Sequence, residues 1–457
     1  MKTATESLHL TGFKEILEDR ELTVSAADYS LLTDLYQLTM AACYVGEGLD
    51  DRPASFELFA RRLPDDFGYA IAMGLAQVLD YLEKFRFSPA QIQALQSTGI
   101  FAGAPERFWS LLATARFTGD VWAVSEGTAV FANEPLLRIE APLWQAQLVE
   151  TYLLNTINYQ TLIATRSARL RDVAGPEAKL LEFGTRRAFG PQAAVWAARA
   201  ALAAGFDGTS NVLAALKLGR KPVGTIAHAL VMAVAALEGS ETQAFAAFHR
   251  YFPGAPLLID TYDTVAAARM LADQVNSGEL QLEGVRLDSG DLAALSREVR
   301  SILPGVPIFA SGDLDEWKIA KLKSDGACID GYGLGTKLVS GSPINGVYKL
   351  VDIDGIPVMK EASDKVTYPG RKQIFRYLKD GQILRDCLGL AEETLHNCDS
   401  IPLMKLVFHG GKRVQQPESL EDIAKLTAAS VASLSAETRQ LNNPISLPVE
   451  ISTGLQS

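Results

Sequence analysis

Between residues 179 and 330 the chain alternates short apolar runs with stretches of helical spacing. The runs at 179–183, 222–226, 257–259, 284–287, 307–310 and 327–329 have the length and make-up of buried strands. Between them, 191–204, 229–238 and 262–276 carry apolar residues every three or four positions, as do Leu292, Leu295, Val299 and Ile302. Repeated βα units call for a parallel sheet, open or closed into a barrel. The preceding residues have another rhythm. A helix is predicted over 28–44, a strand over 54–63, helices over 69–85 and 89–97, and strands at 121–124, 129–131 and 136–140. This mixture without regular alternation predicts an α+β domain, and 143–170 reads as a long helix bridging into the second unit. After about 345 the alternation ceases. Strand-like runs at 349–352, 356–359 and 375–378 precede a terminal helix over 419–441, with Ser419 and Asp422 spaced as a capping box. The expected division is 1–150, an N-terminal α+β domain; 151–345, an α/β domain; and 346–457, a smaller β-rich and helical portion packing back on the first.

A chain of 457 residues, 48% apolar and 21% charged, has the make-up of a globular protein with a large core. Its net charge of −11 argues against a nucleic-acid or anionic-membrane surface. The longest apolar run, 226–237, is too short to span a bilayer and contains His228. The first residues lack the apolar core of a signal peptide, so a cytoplasmic location is expected. Four dispersed cysteines read as reduced thiols. Cys387, His396 and Cys398 are the one candidate zinc cluster, but no CxxC pair accompanies them, and zinc is the minor reading.

The chemistry collects at the ends of the predicted strands. Glu182-Phe183-Gly184-Thr185-Arg186-Arg187, Gly224-Thr225-Ile226-Ala227-His228, Asp260-Thr261-Tyr262-Asp263, Asp288-Ser289-Gly290-Asp291, Ser311-Gly312-Asp313 and Gly333-Leu334-Gly335-Thr336 all follow apolar runs. Carboxyl-terminal strand ends are where α/β-barrel enzymes build their active sites. Arg186, Arg187 and Arg286 supply cations suited to phosphate or carboxylate. Asp260, Asp288 and Asp313 can hold ribose hydroxyls or a metal, although Asp and Ser at such positions also cap helices. Gly333, Gly335 and Thr336 read as a glycine-rich turn able to present N–H groups to a phosphate, without Walker or GxGxxG spacing. Phe183 is placed to stack on a flat ring. This combination suggests a phosphoribosyl substrate. His228 has two readings, a structural imidazole bonded to backbone or a nucleophile toward a phosphoryl group.

These segments, with Leu-Thr-Asp-Leu-Tyr-Gln-Leu-Thr-Met at 32–40 and Gly-Phe-Asp-Gly-Thr-Ser-Asn at 205–211, resemble the nicotinate phosphoribosyltransferases. This is the ATP-assisted family of NAD salvage, and the resemblance runs from about residue 31 to about 376. It implies an irregular α/β (TIM-like) barrel with an N-terminal domain, and a homodimer whose active sites lie at the subunit interface. Substrates would be nicotinate, phosphoribosyl pyrophosphate and ATP, with Mg²⁺ as cofactor. By resemblance, Tyr36 comes from the partner chain over the nicotinate ring, Phe183 stacks on the other face, and Arg186 faces phosphate or carboxylate. His228 matches the histidine phosphorylated by ATP. Asp260, Arg286, Asp288 and Asp313 match positions around the phosphoribosyl pyrophosphate and its Mg²⁺, with His228, Asp288 and Arg286 the catalytic set. Gly333, Gly335 and Thr336 match the 5′-phosphate loop, and Lys365 and Arg371 a basic turn near the diphosphate. Nicotinamide-specific relatives carry aspartate where this chain has Ser210. A carboxylate there would accept from an amide and repel nicotinate, so serine favours the acid. Other readings are a quinolinate-type transferase, which needs more cations, and a non-catalytic sensor, which would have lost His228 or the carboxylates.

Overall fold

Strand Pro53–Ala60 alternates polar Ser55 and Glu57 with apolar residues, yet is buried at every position after its first, because it sits in the middle of a sheet covered on both faces. Its neighbours are Gly346–Ile353 on one side and Pro135–Pro142 on the other, both antiparallel. The full sheet has seven strands, and Ile356–Pro357, Met404–His409 and Lys412–Arg413 belong to it. Residues beyond 345 therefore complete a sheet begun near residue 53. The computed structural model describes residues 22–360, 367–393, 400–414 and 416–456. Lys365, His396 and Cys398 lie outside the described residues, and with them most of the zinc candidate and part of the basic turn.

The predicted bridge is two helices, Leu143–Leu148 and Glu150–Ala174, meeting at Val149. The second is 25 residues long and buries polar residues as well as apolar ones. Two of these are used as clamps: Thr165 Oγ1 accepts from Ile71 N–H at 2.9 Å and Thr161 Oγ1 from Met73 N–H at 3.3 Å. The helix thus pins the N-terminal unit while its other face packs on helix Pro191–Ala203. Ala197, Ala200 and Ala201 are fully buried there and permit close approach.

The predicted parallel sheet is present. Its six strands run in the order Gly208–Thr209, Lys179–Glu182, Gly331–Leu334, Ile308–Ala310, Val285–Leu287 and Leu257–Leu258, every pair parallel. Parallel pairing sets all the carboxyl-terminal ends at one edge, so the loops that follow them gather on one side. Two expected strands are corrected. The run at 222–226 is extended backbone tied by Val223 N–H to Thr209 O at 2.9 Å, because Pro222 offers no donor and Gly224 weakens a strand. The run at 327–329 precedes the strand, which starts at Gly331. The outer strands Gly208–Thr209 and Leu257–Leu258 are not paired with each other, so the ladder does not run round a closed ring. The observed class is mixed α/β with a six-stranded parallel sheet.

A further sheet orders Ser400–Pro402, Lys372–Lys379, Gln382–Leu390 and Val449–Ile451. Asp380 and Gly381, both at positive φ, turn its central hairpin. The terminal helix is shorter than predicted, Leu420–Ala432, followed by Ala436–Arg439. Only half of the expected capping box is formed: Ser419 Oγ accepts from Asp422 N–H at 3.2 Å, while the Asp422 carboxylate accepts from the Ser419 hydroxyl at 2.7 Å.

Candidate active site

Against one face of the parallel sheet lies a cavity of about 310 Å³, lined in part by Leu181, Phe183, Val223, Arg286, Phe309 and Gly333. That is the lower end of the usual range for small-ligand sites. Phe183 follows strand Lys179–Glu182 and is held by its N–H bond to Leu334 O at 2.7 Å. Its ring lies against Gly333, where an added Cβ would come within 2.5 Å of a ring carbon. Gly333 is therefore a strand residue whose missing side chain makes room for the ring. This corrects the glycine-rich turn: only Gly335 and Thr336 lie past the strand end, and Thr336 opens a single helical turn, Thr336–Val339.

Arg286 projects from strand Val285–Leu287 with its guanidinium carbon 6.0 Å from the Phe183 ring centre. Its Nη2 donates to Ile226 O at 3.2 Å, while its Nε is buried without a partner. Burial holds its pKa below the usual guanidinium value against the pull of Asp288 and Asp260, and Arg186 adds a smaller push downward. Arg186 is exposed, in no ion pair among the described residues. A half-buried cation with an unpartnered N–H beside an aromatic face suits an anionic planar ligand.

At the rim, Asp260 is the organising carboxylate, with a side chain only 3% exposed. Its Oδ2 accepts from Asp288 N–H and Ser289 N–H at 2.8 Å each and from Ser289 Oγ at 2.7 Å. Its Oδ1 is buried and accepts no hydrogen bond; the nearest cationic candidate is His228 Nε2, 4.0 Å away. His228 opens helix His228–Glu238, and its Nδ1 lies 3.0 Å from Thr261 Oγ1. The imidazole thus faces two side chains from the next strand end instead of backbone, and its side chain is 39% exposed. Asp288 accepts from Ser311 Oγ through Oδ1. Gly312 packs on that residue: at φ +99°, a Cβ would fall 2.2 Å from Asp288 O. Asp313 is exposed and takes a positive φ of 49°.

Other predicted residues lie elsewhere or have different tasks. Asp291, Asp263 and Asp315 are helix N-caps accepting backbone N–H groups, so the Asp288–Asp291 loop holds one site carboxylate and one cap. Arg371 is engaged in ion pairs with Glu392 and Glu140. Ser210 is half-buried at the end of strand Gly208–Thr209, its N–H on Glu182 O at 2.9 Å. Tyr36 is exposed on helix Leu35–Gly46 and does not line its own chain's cavity. Among the described residues no group of three or more His, Cys, Asp or Glu could hold a metal, and no helix is long and apolar enough to cross a membrane.

Family models described as the nicotinate phosphoribosyltransferase N-terminal domain, family and C-terminal domain match residues 31–158, 178–384 and 392–457. The chain belongs to the nicotinate phosphoribosyltransferase family. It is an enzyme of that family. It is 41% identical over 436 residues to nicotinate phosphoribosyltransferase pncB2 of Mycobacterium tuberculosis, covering 93% of this chain and 91% of that one. The human nicotinate phosphoribosyltransferase is 35% identical, covering 94% and 96%. Among solved structures, human nicotinic acid phosphoribosyltransferase superposes with a TM-score of 0.82 at 32% identity, over 93% of this chain and 98% of that one. The nicotinate-nucleotide pyrophosphorylase of Pyrococcus furiosus follows at 0.75 and 25%, over 91% and 99%.

Three features of this region escaped the sequence reading. Glu241, in the first turn of Glu241–Tyr251, has its pKa pushed up to about 6 by burial, Asp263 and Asp260; nothing local marks it as a neighbour of theirs. Glu182 was legible only as part of a motif. A larger cleft of about 750 Å³, lined in part by Arg62, Arg166, Trp317 and Lys337, lies where the strand ends meet the N-terminal unit. Its residues are far apart in sequence.

Proposed function

We propose that this chain transfers phosphoribosyl from phosphoribosyl pyrophosphate to nicotinate, giving nicotinate mononucleotide and pyrophosphate in NAD salvage, with ATP spent through a phosphohistidine at His228. The observation that carries the reading is the pairing of Phe183 with Arg286 around a small cavity. An aromatic face and a half-buried guanidinium with an unpartnered N–H suit a planar carboxylate. The family names of the close relatives point the same way.

In this reading the pyridine nitrogen attacks C1 of the ribose as the C1–O bond to pyrophosphate breaks. Phe183 orients the ring, and Arg286 counters negative charge as pyrophosphate leaves. Ser210 leaves the nicotinate carboxylate unopposed, where an aspartate would repel it. Asp260 is spoken for on one oxygen, so its orphaned Oδ1 is the atom open to a ribose hydroxyl or the imidazole. Asp313, Gly335 and Thr336 are assigned to the phosphoribosyl moiety, and Arg186 to phosphate or carboxylate. The donor set fits a Mg²⁺ carried in by the diphosphate better than a resident ion, since one or two carboxylates suffice for the former; Asp288 would hold it. When bound, Mg²⁺ offsets charge on the departing pyrophosphate.

For the ATP step, His228 donating Nδ1–H to Thr261 leaves the Nε2 lone pair free to take the γ-phosphoryl group, releasing ADP. Hydrolysis of the phosphohistidine then draws the transfer toward product. We also assign a homodimer in which the partner's Tyr36 closes over the ring; an exposed Tyr36 at 47% fits that task. His228→Ala is expected to lose ATP stimulation while keeping slow ATP-independent transfer, and to retain no acid-labile phosphate after ATP. Full ATP stimulation in that variant would overturn the assignment.

A further inference from the structure

We propose that Glu182 is a positioning residue for pyridine recognition, its buried carboxylate locking together the two loops that carry Phe183 and Ser210. The inference rests on the ring-site reading above and extends it to a residue that touches no substrate. Glu182 is the last residue of strand Lys179–Glu182 and its side chain is wholly buried. Leu181 and Phe183 both line the cavity, so strand alternation turns Glu182 to the opposite side of the sheet. There its charge is felt by Tyr159 of the long helix, whose pKa is pushed up to about 12 chiefly by burial and then by Glu182.

No ion pair neutralises this carboxylate among the described residues. Its partners are two donors, one from each loop. Oε1 accepts from Gly184 N–H, next to Phe183, and Oε2 accepts from Thr209 Oγ1, next to Ser210. Burial pushes the Glu182 pKa up and these two bonds draw it back. The grip extends further on each side. Thr209 Oγ1 accepts from Asn211 N–H at 2.9 Å, and Asn211 Oδ1 caps the next helix by accepting from Ala214 N–H at 3.0 Å. Ser210 itself is tied by its N–H to Glu182 O at 2.9 Å. On the other loop Gly184 is wedged so tightly that a Cβ would lie 2.2 Å from Val339 Cγ1 and 2.9 Å from Glu182 Oε1. One carboxylate therefore sets the distance between the residue that stacks on the ring and the residue that admits its carboxylate.

The chemistry of the replacement decides the test. Alanine leaves Gly184 N–H and Thr209 Oγ1 without their acceptor in a buried place. Glutamine keeps the shape: its oxygen can accept from Gly184, and its NH₂ can donate to a Thr209 hydroxyl that has rotated. The experiment is steady-state kinetics of Glu182→Ala, Glu182→Gln, Thr209→Val and Phe183→Ala, varying nicotinate and phosphoribosyl pyrophosphate separately, with thermal melts alongside. Glu182→Ala is expected to raise the nicotinate KM by about tenfold or more and to erode discrimination against nicotinamide, with the phosphoribosyl pyrophosphate KM within about twofold. Glu182→Gln should stay within about threefold of the parent, and Thr209→Val should fall between them. Should Glu182→Ala fail to fold, Thr209→Val carries the test through the same KM split. If Phe183→Ala raises the nicotinate KM but the Glu182 and Thr209 variants do not, or if they raise both KM values together, this inference alone falls. If Phe183→Ala leaves the nicotinate KM unmoved, the ring-site reading falls and this inference with it.

Discussion

Gly333 shows how one residue couples packing to recognition. A methyl group there meets the Phe183 ring at 2.5 Å, well inside contact distance, and Ser311 Cβ at 3.3 Å closes the other direction. Gly333→Ala must therefore displace the ring, and the nicotinate KM is expected to rise about tenfold, with a loss of about 1–3 kcal/mol of stability. Steady-state kinetics and a thermal melt check it together; an unmoved KM would show that Phe183 does not set the ring position. Ser210→Asp tests selectivity by adding a carboxylate at the end of strand Gly208–Thr209. The ratio of kcat/KM for nicotinate over nicotinamide is expected to fall by about tenfold or more, and an unchanged ratio would remove Ser210 from the argument. At this scale the sequence was legible in residue type but not in assignment. Asp260, Asp263, Asp288 and Asp291 all lie just past apolar runs, yet Asp263 and Asp291 accept helix N–H groups. Capping and ligand binding use the same short carboxylate, so only the backbone geometry separates them.

Among the elements, hydrophobic period located most strands and helices because burial on one or both faces leaves a repeat in the sequence. It failed where glycine served a strand: Gly331–Leu334 holds two glycines and reads as a turn, although it pairs with Lys179–Glu182 and Ile308–Ala310. Glycine is there to admit neighbouring rings, Phe309 at Gly331 and Phe183 at Gly333. The seam between the C-terminal hairpin and the N-terminal unit left no local trace either. Arg376 pairs with Asp386 through both oxygens, at 2.9 and 2.6 Å, and donates to Ala129 O at 2.7 Å. Glu134 faces this pair, and burial together with the Asp386 charge raises its pKa well above the usual glutamate value. The folded protein then keeps the Glu134 proton over a window in which the unfolded chain has lost it. Stability falls as pH rises from the ordinary glutamate range to that raised value. Glu134→Gln is expected to flatten the decline in melting temperature as pH rises above the ordinary glutamate range. Parallel melting curves for parent and variant would contradict it. Arg376→Ala should instead cost about 3 kcal/mol or more, by leaving Asp386 buried without its cation.

For the whole molecule, residues beyond 345 complete the sheet begun near residue 53. The parallel sheet brings together Phe183, His228, Asp260 and the neighbouring Arg286 and Asp288 from well-separated stretches of chain. Their order along the chain was visible in the motifs; that Phe183 and Arg286 line the cavity while the others stand outside its lining was not, since it depends on strand order and register. The most direct test is pyridine mononucleotide formation from phosphoribosyl pyrophosphate and Mg²⁺, with nicotinate or nicotinamide, each with and without ATP. Nicotinate turnover that ATP stimulates, with little use of nicotinamide, is the expected result. Turnover of nicotinamide alone, or nicotinate turnover indifferent to ATP, would contradict it.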